Sequence, residues 1–117
     1  MTHSIFKSKR DRSDLLQGTL DLLVLRTLQR GPMHGWGISQ SIYTVSREVL
    51  QVKEGSLYPA LHRLERQGWL ESEWGASENK RRAKFYRLTE SGKRQLEEAT
   101  AYWEQFTTAV RLVLNLG

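Results

Sequence analysis

The stretch that decides the fold is Glu54-Gly-Ser-Leu-Tyr-Pro-Ala-Leu-His-Arg-Leu-Glu-Arg-Gln-Gly68. Its leucines, Leu57, Leu61 and Leu64, recur at helical spacing, and Gly68 is a typical helix stop. The opposite face carries small, aromatic and basic side chains that have no core to fill. The stretch therefore predicts a helix over 54–67 with one buried face and one face available to a partner.

A basic cluster follows this helix and runs into an alternating strand, Asn79-Lys-Arg-Arg-Ala-Lys-Phe-Tyr-Arg-Leu-Thr89. Residues 69–74 and 83–88 are short, aromatic-rich and strand-like, and residues 75–80 between them have turn composition. We therefore predict a hairpin with a long cationic tip. A helix with an uncommitted face, followed by such a hairpin, is typical of a winged helix-turn-helix that binds DNA.

Composition narrows the class of protein. The chain has 117 residues, enough for one domain, and is 38% apolar and 26% charged, as in globular proteins. A net charge of +5 favours a polyanionic partner, with nucleic acid ahead of an anionic membrane surface. The absence of cysteine excludes disulfides, thiolate metal sites and thiol nucleophiles. No signal peptide or membrane-spanning run is visible, so we expect a cytoplasmic protein without a membrane partner.

Two further helices precede the deciding stretch. The first is predicted over 15–29 from an apolar repeat and is stopped by Arg30-Gly-Pro32. The second is predicted over 35–46, with Ile38, Ile42 and Val45 facing inward. Residues 1–14 are polar and mixed in charge, which predicts a flexible arm. Pro59 leaves two alternatives for the third helix: a regular start near Gly55, or a slightly kinked first turn.

The last helix has the cleanest period. Thr89 is a candidate N-cap, and the apolar positions beyond it recur at alternating steps of three and four. This a/d pattern predicts a dimer seam formed by Leu96, Ala99, Trp103, Phe106, Val110 and Val113. Ordinary packing of this helix on its own domain remains the alternative. Trp103 has two interpretations: a core tryptophan, or one wall of a slot that stacks a flat aromatic ligand.

The helical step of the third helix assigns candidate DNA contacts. With the leucines buried, Gly55, Pro59, His62, Arg63 and Arg66 face outward, and Ser56 and Tyr58 lie on the flanks. His62 and Arg63 can donate to guanine or phosphate, and Tyr58 suits a phosphate. The wing candidates are Lys80, Arg81, Arg82 and Lys84, which we expect at phosphates or in the minor groove. A merely solvated face is the alternative for each group.

No motif in the sequence indicates an enzyme. His3, His34 and His62 are scattered without metal-ligand spacing. No GxSxG motif and no glycine-rich phosphate loop after a strand is present. We therefore predict no catalytic residues, no metal site and no cofactor.

The motifs resemble those of the PadR family of bacterial transcriptional regulators. The resemblance is carried by Gly55-Ser-Leu-Tyr-Pro-Ala-Leu-His-Arg-Leu-Glu65, by Gly68, and by Arg81-Arg-Ala-Lys-Phe-Tyr-Arg-Leu-Thr-Glu-Ser-Gly92. The single helix after the wing is similar to the small subgroup with one C-terminal dimerisation helix. Two positions depart from the family pattern: Trp36 replaces a usual tyrosine, and Lys53 replaces a frequent acidic residue.

The resemblance implies a homodimeric repressor that acts on a pseudo-palindromic operator, often of transport or detoxification genes. It assigns recognition to Ser56, Tyr58 and Pro59, wing contacts to 80–84, and an interface aromatic to Trp103. Lys53 would add a phosphate contact. A small aromatic effector is the further partner that this reading allows.

We therefore predict a mostly α fold with a small β-hairpin (α+β). It comprises an arm at 1–14, a winged helix-turn-helix domain at 15–89 and a dimerisation helix at 90–117. The predicted function is sequence-specific binding of double-stranded DNA by a homodimer that represses transcription. The alternative is a winged-helix module that binds protein instead of DNA.

Overall fold

The structure, a computed structural model, describes residues 9–116, with side chains from residue 17. Its elements in chain order are α1 (Lys9–Leu28), β1 (Met33–His34), α2 (Gly35–Val45), α3 (Glu54–Arg66), β2 (Leu70–Ala76), β3 (Arg82–Leu88) and α4 (Glu90–Val113). Four helices and a small antiparallel sheet make up the predicted α+β winged helix-turn-helix, so the predicted fold class is confirmed.

One apolar core holds these elements together. Leu57, Leu61 and Leu64 of α3 are each at most 1% exposed, as their spacing predicts. They pack with α1, α2, the hairpin and the start of α4, through a cluster that includes Val24, Leu25, Leu28, Ile38, Ile42, Leu70, Tyr86 and Leu96. The buried face of α3 therefore fixes its orientation and leaves the opposite face in solvent.

The sheet has the order β1-β3-β2. β2 and β3 pair antiparallel from Leu70↔Leu88 to Ala76↔Arg82, which gives the predicted hairpin. β1 pairs with β3 through Met33↔Tyr86 and His34↔Phe85. β1 was not predicted, because two residues are too short to show an alternating pattern.

The start of α4 is fastened to the end of α3. The Thr89 hydroxyl accepts from the Gly92 amide at 3.0 Å, as predicted for an N-cap, and donates to the Gly68 carbonyl at 2.7 Å. A Cβ on Gly92 would lie 2.1 Å from the Trp69 carbonyl oxygen, so only glycine permits this approach. The junction fixes the direction in which α4 leaves the domain.

Three sequence predictions need correction. Helix α1 begins at Lys9, so residues 9–14 are helical and not a flexible arm; residues 1–8 lie outside the described part. Val45 is 58% exposed instead of facing inward, because α2 ends there. Leu96 is 4% exposed within its own domain's core, so it is not on a surface that a second copy could reach.

Pro59 lies inside α3, which runs regularly from Glu54 to Arg66. The proline cannot donate to the carbonyl of Gly55, but both residues are exposed, so water can satisfy that carbonyl. The helix therefore tolerates the missing hydrogen bond near its start.

Candidate nucleic-acid interface

The exposed face of α3 carries four of the ten residues predicted to contact DNA. Ser56, Pro59 and His62 are exposed, and Tyr58 is 46% exposed. Lys53 directly precedes the helix, is exposed, and makes no side-chain cap. Ser56, Tyr58 and Pro59 lie in the first half of α3, where a recognition helix reaches base edges, and His62 lies about one turn further along the same face.

Gly35 sets the spacing between α2 and α3. A Cβ at this position would lie 2.6 Å from the Tyr58 hydroxyl oxygen. The glycine thus lets the N-terminus of α2 approach Tyr58 closely, and Tyr58 and Trp36 line the same cleft.

Arg63 does not face outward as the helical step predicted. Its guanidinium donates to the Asp21 carboxylate of α1 at 2.8 Å, with both side chains about a quarter exposed (28% and 24%). Burial raises the pKa of Asp21 above its usual value, although the hydrogen bond and the charge of Arg63 oppose that shift. Arg63 therefore links α3 to α1 and is not a free cation for DNA.

Removing one partner of this pair should destabilise the fold. In Arg63→Met the Asp21 carboxylate loses its donor, and we expect a loss of about 1–3 kcal/mol in unfolding free energy at pH 7. The double variant Asp21→Leu/Arg63→Met should recover most of that loss, because no charge remains desolvated. Urea unfolding of the single and double variants measures both quantities.

The pH dependence of this loss follows from the direction of the Asp21 pKa. A raised pKa means that the folded state binds the proton more tightly than the unfolded chain, so ionisation lowers stability as pH rises through the acid range. Without Arg63 the pKa should rise further, and the deficit of the single variant should shrink on acidification. A double variant as unstable as Arg63→Met at pH 7 would contradict this account.

The wing presents its cations at the tip and along β3. Lys80, Arg81 and Arg82 are exposed, and Lys80 adopts φ 58° in the turn between the strands. The guanidinium of Arg82 lies 4.7 Å from the centre of the Trp74 ring across the hairpin. This contact holds Arg82 against the strand while its charge stays in solvent.

Lys84 is more constrained than its neighbours. Its ammonium lies 3.5 Å from a Glu65 carboxylate oxygen and 5.7 Å from the centre of the Tyr86 ring. Burial, with a smaller contribution from the charge of Glu65, raises the pKa of Tyr86 above its usual value, so its hydroxyl remains protonated. Lys84 therefore also joins the wing to α3.

The wing and α3 meet around one cleft, which we call the wing cleft. It has a volume of about 640 Å³ and is lined by Tyr58 of α3, by Trp36 at the start of α2, and by Trp74, Arg82 and Lys84 of the hairpin. The exposed part of α3 and the cationic strand therefore share one side of the molecule.

Sequence reasoning missed two aromatic residues of this cleft as well as the role of His34. Trp36 is 64% exposed and Trp74 58% exposed, both at its rim. His34 accepts a hydrogen bond from the Gly37 amide at 3.0 Å and thereby caps α2. Trp74 shares its side of β2 with the buried Leu70, so strand alternation did not predict its exposure. Its position close to the basic tip was the one available signal.

A second exposed surface lies along the C-terminal half of α4. Trp103, Phe106 and Val110 are 36–37% exposed and Val113 is 86% exposed. Trp103 and Phe106, with Ala99 and Tyr102, also line an apolar cavity of about 210 Å³ against Gly18, Thr19 and Leu22 of α1. The predicted seam thus divides: its beginning packs on its own domain, and its end remains uncovered.

Other classes of site are not seen in the described part of the chain. Within residues 9–116, no helix is long and apolar enough to cross a membrane. In the same residues, no group of three or more His, Cys, Asp or Glu side chains is placed to hold a metal ion.

Residues 24–98 match the model of the transcriptional regulator PadR-like family. The chain belongs to the PadR-like family. It is 32% identical over 104 residues to a protein of Lysinibacillus sphaericus, a match that covers 89% of this chain and 95% of that protein.

Solved structures of regulators agree with this assignment. A transcriptional regulator of Clostridium thermocellum superimposes with a TM-score of 0.76 at 32% identity, covering 84% of this chain and 95% of that one. A PadR family regulator of Eggerthella lenta superimposes with a TM-score of 0.71 at 34% identity, covering 93% of both chains.

Membership in the PadR-like family decides between the classes of function. The protein is a DNA-binding regulator of transcription and not an enzyme. This selects the DNA-binding interpretation over a winged-helix module for protein partners. The family match runs from α1 into α4 and stops at residue 98, so the exposed apolar end of α4 lies beyond it.

Proposed function

We propose that this PadR-like protein is a cytoplasmic homodimeric repressor of a pseudo-palindromic operator, released by a small aromatic ligand. The observation that carries the proposal is the wing cleft, where Tyr58 of α3 and Arg82 and Lys84 of the wing line one concavity. A helix and a basic hairpin on one side can engage a groove and its flanking backbone together.

In this arrangement the exposed face of α3 enters the major groove. Ser56 and Pro59 are small enough for close approach, and His62 reaches base edges. Lys53 and Tyr58 lie at the start of the helix, where they contact phosphates and fix the register. The exposed wing cations, Lys80, Arg81 and Arg82, follow the adjacent backbone or minor groove.

The dimer forms through the uncovered part of α4. Trp103, Phe106, Val110 and Val113 supply an apolar stripe, and Leu112, Leu114 and Leu116 are at least 60% exposed beside it. A surface of this kind is typical of an interface between copies. Two-fold symmetry then pairs two winged domains with two half-sites, and a dimer seated on its operator represses by blocking access to the promoter.

Base readout is tested by His62→Ala and Ser56→Ala. Each base contact discriminates by roughly 1–3 kcal/mol, whereas a phosphate contact carries no sequence information. We expect either variant to lower affinity for a selected operator by about 5- to 100-fold and to change affinity for random duplex little. Binding selection from a random pool followed by fluorescence anisotropy supplies both numbers.

A matched control is Arg66→Ala, which removes an exposed side chain at the far end of the same helix. Its operator preference should be unchanged. Equal losses on operator and random DNA for His62→Ala and Ser56→Ala would make these residues backbone contacts.

Ligand release is assigned to the cavity between α1 and α4. The Trp103 and Phe106 ring centres lie 6.1 Å apart at 40°, beside the apolar space of about 210 Å³. That space is small for a ligand, so a second copy is needed to enlarge it. By linkage, an inducer must bind the DNA-incompetent dimer more tightly than the DNA-competent one.

Tryptophan fluorescence tests this assignment. Titration with a planar dye should give saturable quenching in the wild type, and the Trp103 component of that quenching should disappear in Trp103→Leu. Tyr43→Leu, on α2 and away from this cavity, should quench as the wild type does. Absence of any response that depends on Trp103 would leave this tryptophan as a packing residue.

A further inference from the structure

The wing cleft has the size and lining of a small-molecule site in its own right. Its volume of about 640 Å³ lies in the range of roughly 300–1,000 Å³ typical of ligand pockets. Five ring-bearing residues line it: His34, Trp36, Tyr58, Trp74 and Tyr86. The wing cleft and the Trp103 cavity are separate sites, since they share no lining residue.

The aromatic side chains at the rim of the wing cleft are not part of the hydrophobic core. Trp36, Trp74 and Tyr58 are 64%, 58% and 46% exposed, while the hydrophobic cluster is built from other residues. Large aromatic side chains grouped in solvent around one concavity are typical of a binding surface. Their flat faces favour a flat, aromatic occupant.

The charges around the cleft favour an anion. Arg82 and Lys84 contribute two cations to its lining and Glu78 one carboxylate. The ammonium of Lys84 forms an ion pair with a Glu65 carboxylate oxygen at 3.5 Å. A Glu78 carboxylate oxygen lies 3.8 Å from Nε2 of His34. Arg82 has no carboxylate partner among the described residues and lies against Trp74, so positive charge and ring face coincide there.

We propose that the wing cleft binds a planar aromatic anion, with its ring among Trp36, Tyr58 and Trp74 and its anionic group at Arg82. Because Tyr58, Arg82 and Lys84 are also proposed DNA contacts, the ligand and the operator exclude each other. This second step rests on the proposed function. It differs from release through Trp103, since direct competition needs no change in conformation.

Calorimetric titration of the full chain tests the site without DNA. The probe is 2-naphthoate, compared with the uncharged 2-naphthamide and the non-aromatic octanoate. We expect naphthoate to bind most tightly. Trp74→Leu should weaken it at least about fivefold through the lost ring contacts. Arg82→Gln should weaken naphthoate and leave naphthamide unchanged, whereas Trp103→Leu should leave the binding that depends on Trp74 unchanged for both probes.

Circular dichroism melting shows whether each variant remains folded, as expected for exposed positions. Naphthoate binding that survives Trp74→Leu and is lost in Trp103→Leu would overturn the proposal, as would no binding at millimolar probe. If naphthoate does not bind but Trp74→Leu weakens DNA binding, the cleft contacts DNA instead, and the ligand proposal is wrong.

A second titration, of naphthoate against labelled duplex, tests exclusion. Competition predicts that apparent DNA affinity keeps falling in proportion to free ligand, whereas coupling between separate sites reaches a plateau. A plateau would overturn exclusion. A chain that binds naphthoate through Trp74 but binds no DNA would refute the proposed function and support the cleft as a ligand site.

Discussion

Raising the salt concentration from about 50 to 200 mM should lower DNA affinity by about 10³–10⁵-fold, if a dimer neutralises roughly six to ten phosphates. In the proposed interface, much of this electrostatic binding should come from the exposed cations Lys80, Arg81 and Arg82, together with Lys53 at the start of α3. Each phosphate contact releases a condensed counterion, so the slope of log affinity against log salt counts the contacts. Fluorescence anisotropy at several salt concentrations measures that slope.

The variant Arg81→Ala/Arg82→Ala should weaken operator and random DNA alike and flatten the slope by up to about four contacts per dimer. The matched control is Arg87→Ala/Lys93→Ala, which removes the same charge from residues paired with Glu71 and Glu90. The control should keep nearly the wild-type slope. An unchanged slope in Arg81→Ala/Arg82→Ala would remove the wing from the interface.

The part of the fold set by local pattern was predictable from the sequence. The structure contains the helix predicted from the leucine spacing, the predicted Thr89 N-cap and the predicted hairpin. The ends of these elements lie within a few residues of the predicted ones. The start of α1 was not predictable, since residues 9–14 are polar and only their continuity with the apolar repeat extends the helix. The two-residue strand β1 forms because it pairs with the edge of β3, and this contact joins segments that are far apart in the sequence.

The exposure of a site residue was predictable where it follows from the position of that residue around the helix. It was not predictable where a contact with another segment of the chain turns the side chain inward. Ser56, Tyr58, Pro59 and His62 lie on the exposed face because the leucines occupy the other. Arg63 is one helical step from that face, and only the position of Asp21 on α1 shows that it turns inward. Similarly, Trp36 and Trp74 are far apart in sequence, and only the packing of β1 and α2 on the hairpin brings them to one cleft.

The α4 pattern was ambiguous for a physical reason. An apolar stripe at steps of three and four fits packing on the same domain as well as packing on a second copy. The structure uses Leu96 for the first purpose and leaves Phe106 36% and Val110 37% exposed. With 24 residues, α4 is about 36 Å long. Its distal half therefore extends beyond the core that its first turns cover.

Phe106→Asp or Val110→Asp should convert the proposed dimer to monomers. By two-fold symmetry each substitution places two carboxylates in an apolar interface, and at roughly 2 kcal/mol each they raise the dimer dissociation constant by about 10³-fold. Sedimentation velocity at micromolar protein should show the mass of one chain. The matched control is Thr108→Asp, on the opposite face of the same helix, which adds the same charge to an exposed position and should leave the dimer intact.

Loss of the dimer should also abolish tight operator binding, while the winged domain itself stays folded. Neither Phe106 nor Val110 belongs to the core cluster, so thermal unfolding of each monomeric domain should retain its cooperative transition. One half-site offers half of the phosphate and base contacts, and the remaining affinity should approach that for random duplex at the same salt concentration. If Phe106→Asp and Val110→Asp both stay dimeric, the interface lies elsewhere on the molecule. If they become monomeric but bind the operator as tightly as the wild type, the proposed pairing of two domains with two half-sites is wrong.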